Sequence, residues 1–174
     1  MKVRLNFLDS DGSDAKHGKY IKLLVISGLV VILDQITKLW IIKKIPLFHS
    51  ITVIPGFFNI THILNPGGAF GFLAHQNSHF RNVLFLLASS IAICFIYFFY
   101  KNVYKTQPLL ASGLALIFGG AVGNLIDRIR FGKVIDFLDF YIGNHHWPAF
   151  NVADSAITVG ITVFVFHLLF KKLP

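Results

Sequence analysis

Glutamate is missing from this sequence of 174 residues, whose eight acidic residues are all aspartate. Its absence removes HExxH-type zinc proteases and glutamate-based glycosidases, whose chemistry rests on a Glu side chain. Cysteine occurs once, as Cys94. That excludes an internal disulfide framework and any multi-cysteine metal site. Charge is scarce as well, at 14% of residues, against about 25% in a soluble domain. So little charge cannot cover a water-facing surface, and a plain soluble globular protein is excluded. What fills the chain is apolar: 55% of residues are hydrophobic and 15% aromatic, with a mean hydropathy of +0.66. At about 20 residues per spanning helix, the length allows about four membrane spans and a modest extramembrane part in one domain. The net charge of +8 could suggest nucleic acid. In so apolar a chain, Lys and Arg belong at membrane interfaces instead, and no nucleic-acid partner is expected.

Four apolar runs predict spans over about 21–42, 83–100, 108–126 and 153–170. Each is about long enough to cross a ~30 Å hydrocarbon layer. Residues 1–20 read as a largely disordered polar tail. The apolar run after it is too long, and lacks the small-residue site, for a cleavable signal peptide. Four spans put both termini on one side. That side carries Lys2, Arg4, Lys16, Lys19, Lys22, Lys101, Lys105, Lys171 and Lys172. The other carries Lys43, Lys44, Arg81, Arg128, Arg130 and Lys133. The balance predicts cytoplasmic termini and outer segments over about 43–81 and 127–148. In the first, ITVIPGFFNITHIL reads as a hairpin or small sheet at the membrane surface. In the second, KVIDFLDFYI reads as a strand, followed by the loop GNHHWP. Trp40 and Trp147 fall at outer span ends, where interfacial indoles are expected.

Three acids lie in the tail; the other five, Asp34, Asp127, Asp136, Asp139 and Asp154, collect near the outer face. An unpaired charge at bilayer depth costs at least about 2.5–3.5 kcal/mol, so clustering at one depth is informative. Each acid also has a structural explanation. Asp34 and Lys38 stand i,i+4 and suit an ion pair. Asn151 and Asp154 have N-cap and N3 spacing at the start of the fourth span. Asp127, placed just past the third span, could anchor it beside Arg128. Asp136 and Asp139 could be the polar face of an amphipathic strand, and Asp139 is left in that role. Gly119, Gly120 and Gly123 suit close helix packing. His145 and His146 are adjacent and lack a third ligand, so no metal is expected. Ser112 and His167 lie at similar depth, but no acid stands near to orient the histidine. Spacing alone does not separate Asp136 from Asp127 as the partner of Asp154.

These motifs, taken together, resemble the lipoprotein signal peptidase (signal peptidase II) family of bacterial membrane aspartyl proteases. Asp34-Gln-Ile-Thr-Lys38 resembles the family's first box, and Asn65-Pro-Gly-Gly-Ala-Phe70 its second, with Gly68 in place of the usual Ala. Gly123-Asn-Leu-Ile-Asp-Arg128 resembles the third, Val134-Ile-Asp136-Phe137 follows at the family's spacing, and Phe150-Asn-Val-Ala-Asp154-Ser resembles the last. The resemblance implies a four-helix transmembrane bundle, all-α apart from a small periplasmic β-cradle, in the bacterial inner membrane. It implies Asp136 and Asp154 as a catalytic dyad near the periplasmic face. Asn65, Gly120, Asn124, Asp127, Arg128 and Asn151 would surround dyad and substrate, with Asp34 and Lys38 as a structural pair. The implied reaction removes the signal peptide from diacylglyceryl-modified prolipoproteins just before the lipidated Cys. It needs no cofactor, and globomycin-type cyclic peptides would inhibit it. The residue inventory agrees: two carboxylates that cannot easily both ionise can act as acid and base on a water, without a metal or a nucleophilic side chain. A proton- or ion-coupled transporter is the rival reading, with Asp34 and Lys38 in a relay. A non-catalytic assembly factor docking through the outer β-region is another.

Overall fold

The computed structural model describes residues 11–67 and 78–170. Residues 1–10, the Gly68–Phe70 end of the second box, and Lys171 and Lys172 lie outside them. Among the described residues the order is α1 (Asp11–Lys44), β1 (Ser50–Ile54), β2 (Phe58–Asn65), α2 (Ser78–Val103), α3 (Pro108–Phe131), β3 (Val134–Ile142), β4 (His145–His146) and α4 (Val152–Phe170). Within these helices, Tyr20–Lys44, His79–Val103, Pro108–Phe131 and Val152–Phe170 are long and apolar enough to cross a membrane. Helix is the form such runs take, because hydrocarbon offers the backbone no hydrogen-bond partner.

The helix α3 is the centre of the bundle and packs against all three others. Its buried positions include Ala111, Gly113, Ala115, Gly119 and Gly120, small residues that let backbones approach where apolar burial gives no drive. The outward faces of α1 and α2 are exposed apolar side chains such as Leu24, Leu29, Ile91 and Phe95, as a lipid-facing surface requires.

The helices outrun the expected spans: α2 starts at Ser78 rather than 83, and α1 and α3 are extended as well. The helix α1 begins at Asp11, inside the segment expected to be a disordered tail. Extending a helix that is already nucleated costs little, even through polar sequence. The helix α3 continues past Ile126 to Phe131 and stops at Gly132, whose φ of 66° is the left-handed C-cap that glycine adopts without penalty. Asp127 therefore lies within the last turns of α3 rather than beyond its end.

The strands join the two extrahelical segments. Among the described residues they form one antiparallel sheet in the order β1-β2-β3-β4. In it β2 pairs with β3 so that Ile63 faces Asp136 and Asn59 faces Asp139. The sheet sits on the end of the bundle through Ile41, Ile45, Ile135 and Phe137, with Leu64 and Val152 packed around them. Full burial of each such side chain contributes roughly 1.5–3 kcal/mol. The imidazole Nδ1 of His62 lies 2.8 Å from the Ile45 carbonyl and ties β2 to the end of α1. A second core, including Leu23, Tyr100, Val103, Leu110 and Leu114, fills the opposite end.

Candidate active site

Between β3 and the first turns of α4 lies a cavity of about 570 Å³. Asp136 from β3 and Asp154 from α4 both line it, with Asn65, Asn124 and Arg128. The two acids arrive there for different local reasons. Asp136 reaches the cavity because β3 leaves Gly132 and returns along β2. Asp154 reaches it as the N3 residue of α4. Asn151 is the N-cap: its Oδ1 accepts the Asp154 N–H at 2.9 Å, and Asp154 Oδ2 accepts the Asn151 N–H at 3.3 Å. This is the reciprocal capping box expected from the spacing. The structural explanation holds, and the same acid faces the cavity.

Asparagine amides hold both carboxylates. Asp136 accepts from Asn151 Nδ2 at 2.8 Å and from Asn65 Nδ2 at 3.0 Å. Asp154 accepts from Asn124 Nδ2 at 2.8 Å. Burial, and then the nearby charge of Asp154, push the Asp136 carboxyl up to about 7. The amides of Asn65 and Asn151 and the charge of Lys38 act in the opposite direction without overcoming them.

Behind the cavity, Lys38 extends from α1 into the seam with α3. Its Nζ lies 2.8 Å from Asp34, 2.8 Å from Asp127 and 3.0 Å from Asn124 Oδ1. All three ionic side chains are buried, where a charge survives only when paired. The expected Asp34–Lys38 pair is thus one side of a triad. Asp34 also accepts the Ala153 N–H at 2.9 Å, fixing the α4 N-terminus. Asp127 is occupied by Lys38, by the Ile135 N–H at 3.1 Å and by Gln35 at 3.0 Å. Its side chain is sealed behind the cavity wall, and its partners are these rather than Arg128. Arg128 donates to the Asn124 carbonyl at 3.4 Å and covers the Phe85 ring at 5.2 Å.

Gly120 contributes space rather than polarity. A Cβ there would collide with the Ala153 carbonyl oxygen and with Ile157, so glycine lets α3 and α4 meet right beside Asp154. Asp139 stays apart from the cavity, since a period of two puts it on the opposite face of β3 from Asp136. Gln35 escaped the sequence reading, although it donates to Asp34, Asp127 and the Gly123 carbonyl. Its place one residue after Asp34 is the only signal that could have found it. Ser112 and His167 do not meet. The Ser112 hydroxyl turns back to the Pro108 carbonyl at 3.0 Å, and neither His167 ring nitrogen has a hydrogen-bond partner among the described residues. Among the described residues, no three His, Cys or Asp side chains converge to hold a metal ion.

Fold and site define a multi-pass membrane protein with a carboxylate-lined cavity between a small sheet and the last spanning helix. A family model described as signal peptidase (SPase) II matches residues 26–170. The lipoprotein signal peptidase of Desulforapulum autotrophicum is 53% identical over 154 residues, 88% of this chain and 95% of that one. That of Syntrophus aciditrophicus is 48% identical, covering 87% of this chain and 94% of the relative. A bacterial membrane enzyme solved by the in meso method at 1.9 Å resolution is 32% identical, with a TM-score of 0.77 over 86% of this chain and 94% of its own. A second such structure, at 2.3 Å resolution, is 34% identical with a TM-score of 0.74, over 87% and 94%. The chain belongs to the signal peptidase II family and is a membrane protease.

Proposed function

We propose that this protease removes the signal peptide from diacylglyceryl-modified prolipoproteins, cutting just before the lipidated Cys, with Asp136 and Asp154 as an aspartyl dyad. The observation that carries the reading is the convergence of these two acids on one cavity, while Asp127 is sealed behind it. Close carboxylates share one proton and titrate as a unit. The protonated member polarises the scissile carbonyl while the ionised one takes a proton from the attacking water. Asn65, Asn124 and Asn151 keep both carboxyl groups aimed at that water. The guanidinium of Arg128, on the cavity wall, suits the substrate backbone or the developing oxyanion. Membrane lipid supplies the medium for the acyl chains of the substrate, and globomycin-type peptides would compete for the cavity.

Purified protein given a diacylglyceryl-modified prolipopeptide should release the signal peptide, and release should survive chelators and serine-directed reagents. Loss with EDTA and recovery with zinc would overturn the aspartyl reading. For orientation, the Lys/Arg balance supports cytoplasmic termini and a periplasmic cavity in the inner membrane. A reporter active only in the periplasm should then give signal when fused near Gly143 and none near Lys105. The reverse pattern would overturn that orientation.

A further inference from the structure

The mechanism above leaves Asp139 and His146 unused, yet the two form a close pair. His146 Nδ1 lies 2.7 Å from Asp139 Oδ1, so Nδ1 carries the proton and donates it to the carboxylate. The other carboxylate oxygen, Oδ2, accepts from Asn59 Nδ2 at 3.0 Å. The imidazole also stacks on Tyr141, with centroids 4.8 Å apart and planes inclined by 9°. Asp139 is buried, while the His146 side chain is half exposed. The pair therefore links a fixed acid of β3 to the short strand β4, which leads into the final loop.

What that loop carries gives the pair its meaning. Trp147, Pro148 and Ala149 follow His146 directly and line the same cavity as Asp136 and Asp154. Backbone bonds anchor this lip at both ends, from the Trp147 N–H to the Phe140 carbonyl at 2.8 Å and from the Phe150 N–H to the Leu138 carbonyl at 3.1 Å. Pro148 has no N–H to add. Successive residues of an extended strand point to opposite faces. Fastening His146 to the Asp139 face thus presents Trp147 on the Asp136 face, over the cavity.

We propose that Asp139 and His146 are positioning residues for cleavage, a clamp that holds the Trp147–Ala149 lip against the apolar part of the substrate. The proposal rests on the cavity being the peptidase site. It assigns to the pair substrate binding rather than the chemical step, so its loss should appear in KM.

His146→Ala, at a half-exposed position, carries the test, since Asp139→Ala would leave a hole at a buried position of β3. With the diacylglyceryl prolipopeptide, His146→Ala should raise KM about fivefold to tenfold and change kcat less than about twofold. Hydrogen exchange of the segment 143–150 should quicken, because the Trp147 amide loses its support. In His146→Asn the side-chain amide can take the place of Nδ1, so both readouts should return most of the way to wild type. Trp147→Ala should raise KM similarly, and adding His146→Ala to it should have little further effect. Unchanged exchange in His146→Ala would overturn the clamp. Faster exchange with a wild-type KM would overturn its role in binding. Asp136→Asn and Asp154→Asn, run alongside, keep the two readings apart. Turnover by those variants would remove the dyad assignment and leave the exchange and KM results to be read on their own.

Discussion

The Asn151 side chain donates to the Asp136 carboxylate at 2.8 Å and, through its own carbonyl oxygen, caps α4 by accepting the Asp154 N–H at 2.9 Å. One side chain thereby sets the distance between a strand acid and a helix acid. The two jobs can be separated by mutation. Asn151→Ala loses both, and the cap alone is worth about 1 kcal/mol. Asn151→Ser keeps a hydroxyl at the N-cap but cannot reach Asp136. Thermal melts should show Asn151→Ser more stable than Asn151→Ala, while both cleave prolipopeptide far more slowly than wild type. Full activity in Asn151→Ser would show that the link to Asp136 is dispensable.

The three acids near the cavity should respond in a fixed order. Asn at position 136 or 154 preserves shape but cannot exchange the proton, so turnover should fall by about 10⁴-fold or more while the protein stays folded. Asp127→Asn instead weakens a buried triad and leaves Lys38 partly uncompensated, at a cost of about 3 kcal/mol. Its defect should appear first in the melting temperature, with turnover still measurable in the folded fraction. A folded Asp136→Asn protein with near wild-type cleavage would point to Asp127 as the partner of Asp154.

Gly120 makes a steric prediction. A methyl group there meets the backbone carbonyl of Ala153, which cannot rotate away as a side chain would. Gly120→Ala should force α4 outward and cost about 1–3 kcal/mol. Because Asp154 is the next residue after Ala153, activity at a temperature where the variant is fully folded should drop as well. A variant with unchanged melting temperature and turnover would show that the contact has room to relax.

The sequence and the structure part company where long-range pairing decides. Hydropathy was enough to locate the apolar cores of all four helices. Asp34 and Lys38 at i,i+4 announced their ion pair, and Asn151 with Asp154 announced the cap. The position of Asp127 was not legible, because the end of α3 depends on the left-handed turn at Gly132 rather than on polarity. Nor was the separation of Asp136 from Asp127, which arises when β3 pairs with β2, a strand from the other extrahelical segment. That register carries Asp136 to Asn151 at the α4 N-terminus, whereas Asp127 stays on α3 and faces Lys38 of α1. In the sequence His146 carries no signal beyond its neighbour His145, and adjacent histidines chelate poorly. Its partner, Asp139, lies seven residues away across a tight turn, a contact visible only once β3 and β4 are paired.

The ionisation of Asp136 ties activity and stability to pH. Its carboxyl is pushed up to about 7, first by burial and then by the charge of Asp154, whereas in an unfolded chain it would titrate at about 3.9. Between these values the folded protein keeps a proton that the unfolded chain has lost. Folding is therefore favoured on the acid side, and this contribution is lost as pH rises through about 7, at up to about 1.4 kcal/mol per pH unit. Asp136→Asn carries no such group. Its stability relative to wild type should improve by about 2–3 kcal/mol between pH 5 and pH 8, seen as a melting-temperature difference that moves in favour of the variant. In the wild-type enzyme the same deprotonation leaves the pair without its shared proton, so kcat/KM should fall on the alkaline side of about 7. Asp154→Asn removes a charge that holds the Asp136 proton in place, and should flatten the stability slope. A wild-type-minus-variant difference that stays constant from pH 5 to 8 would mean that Asp136 ionises as an ordinary exposed aspartate.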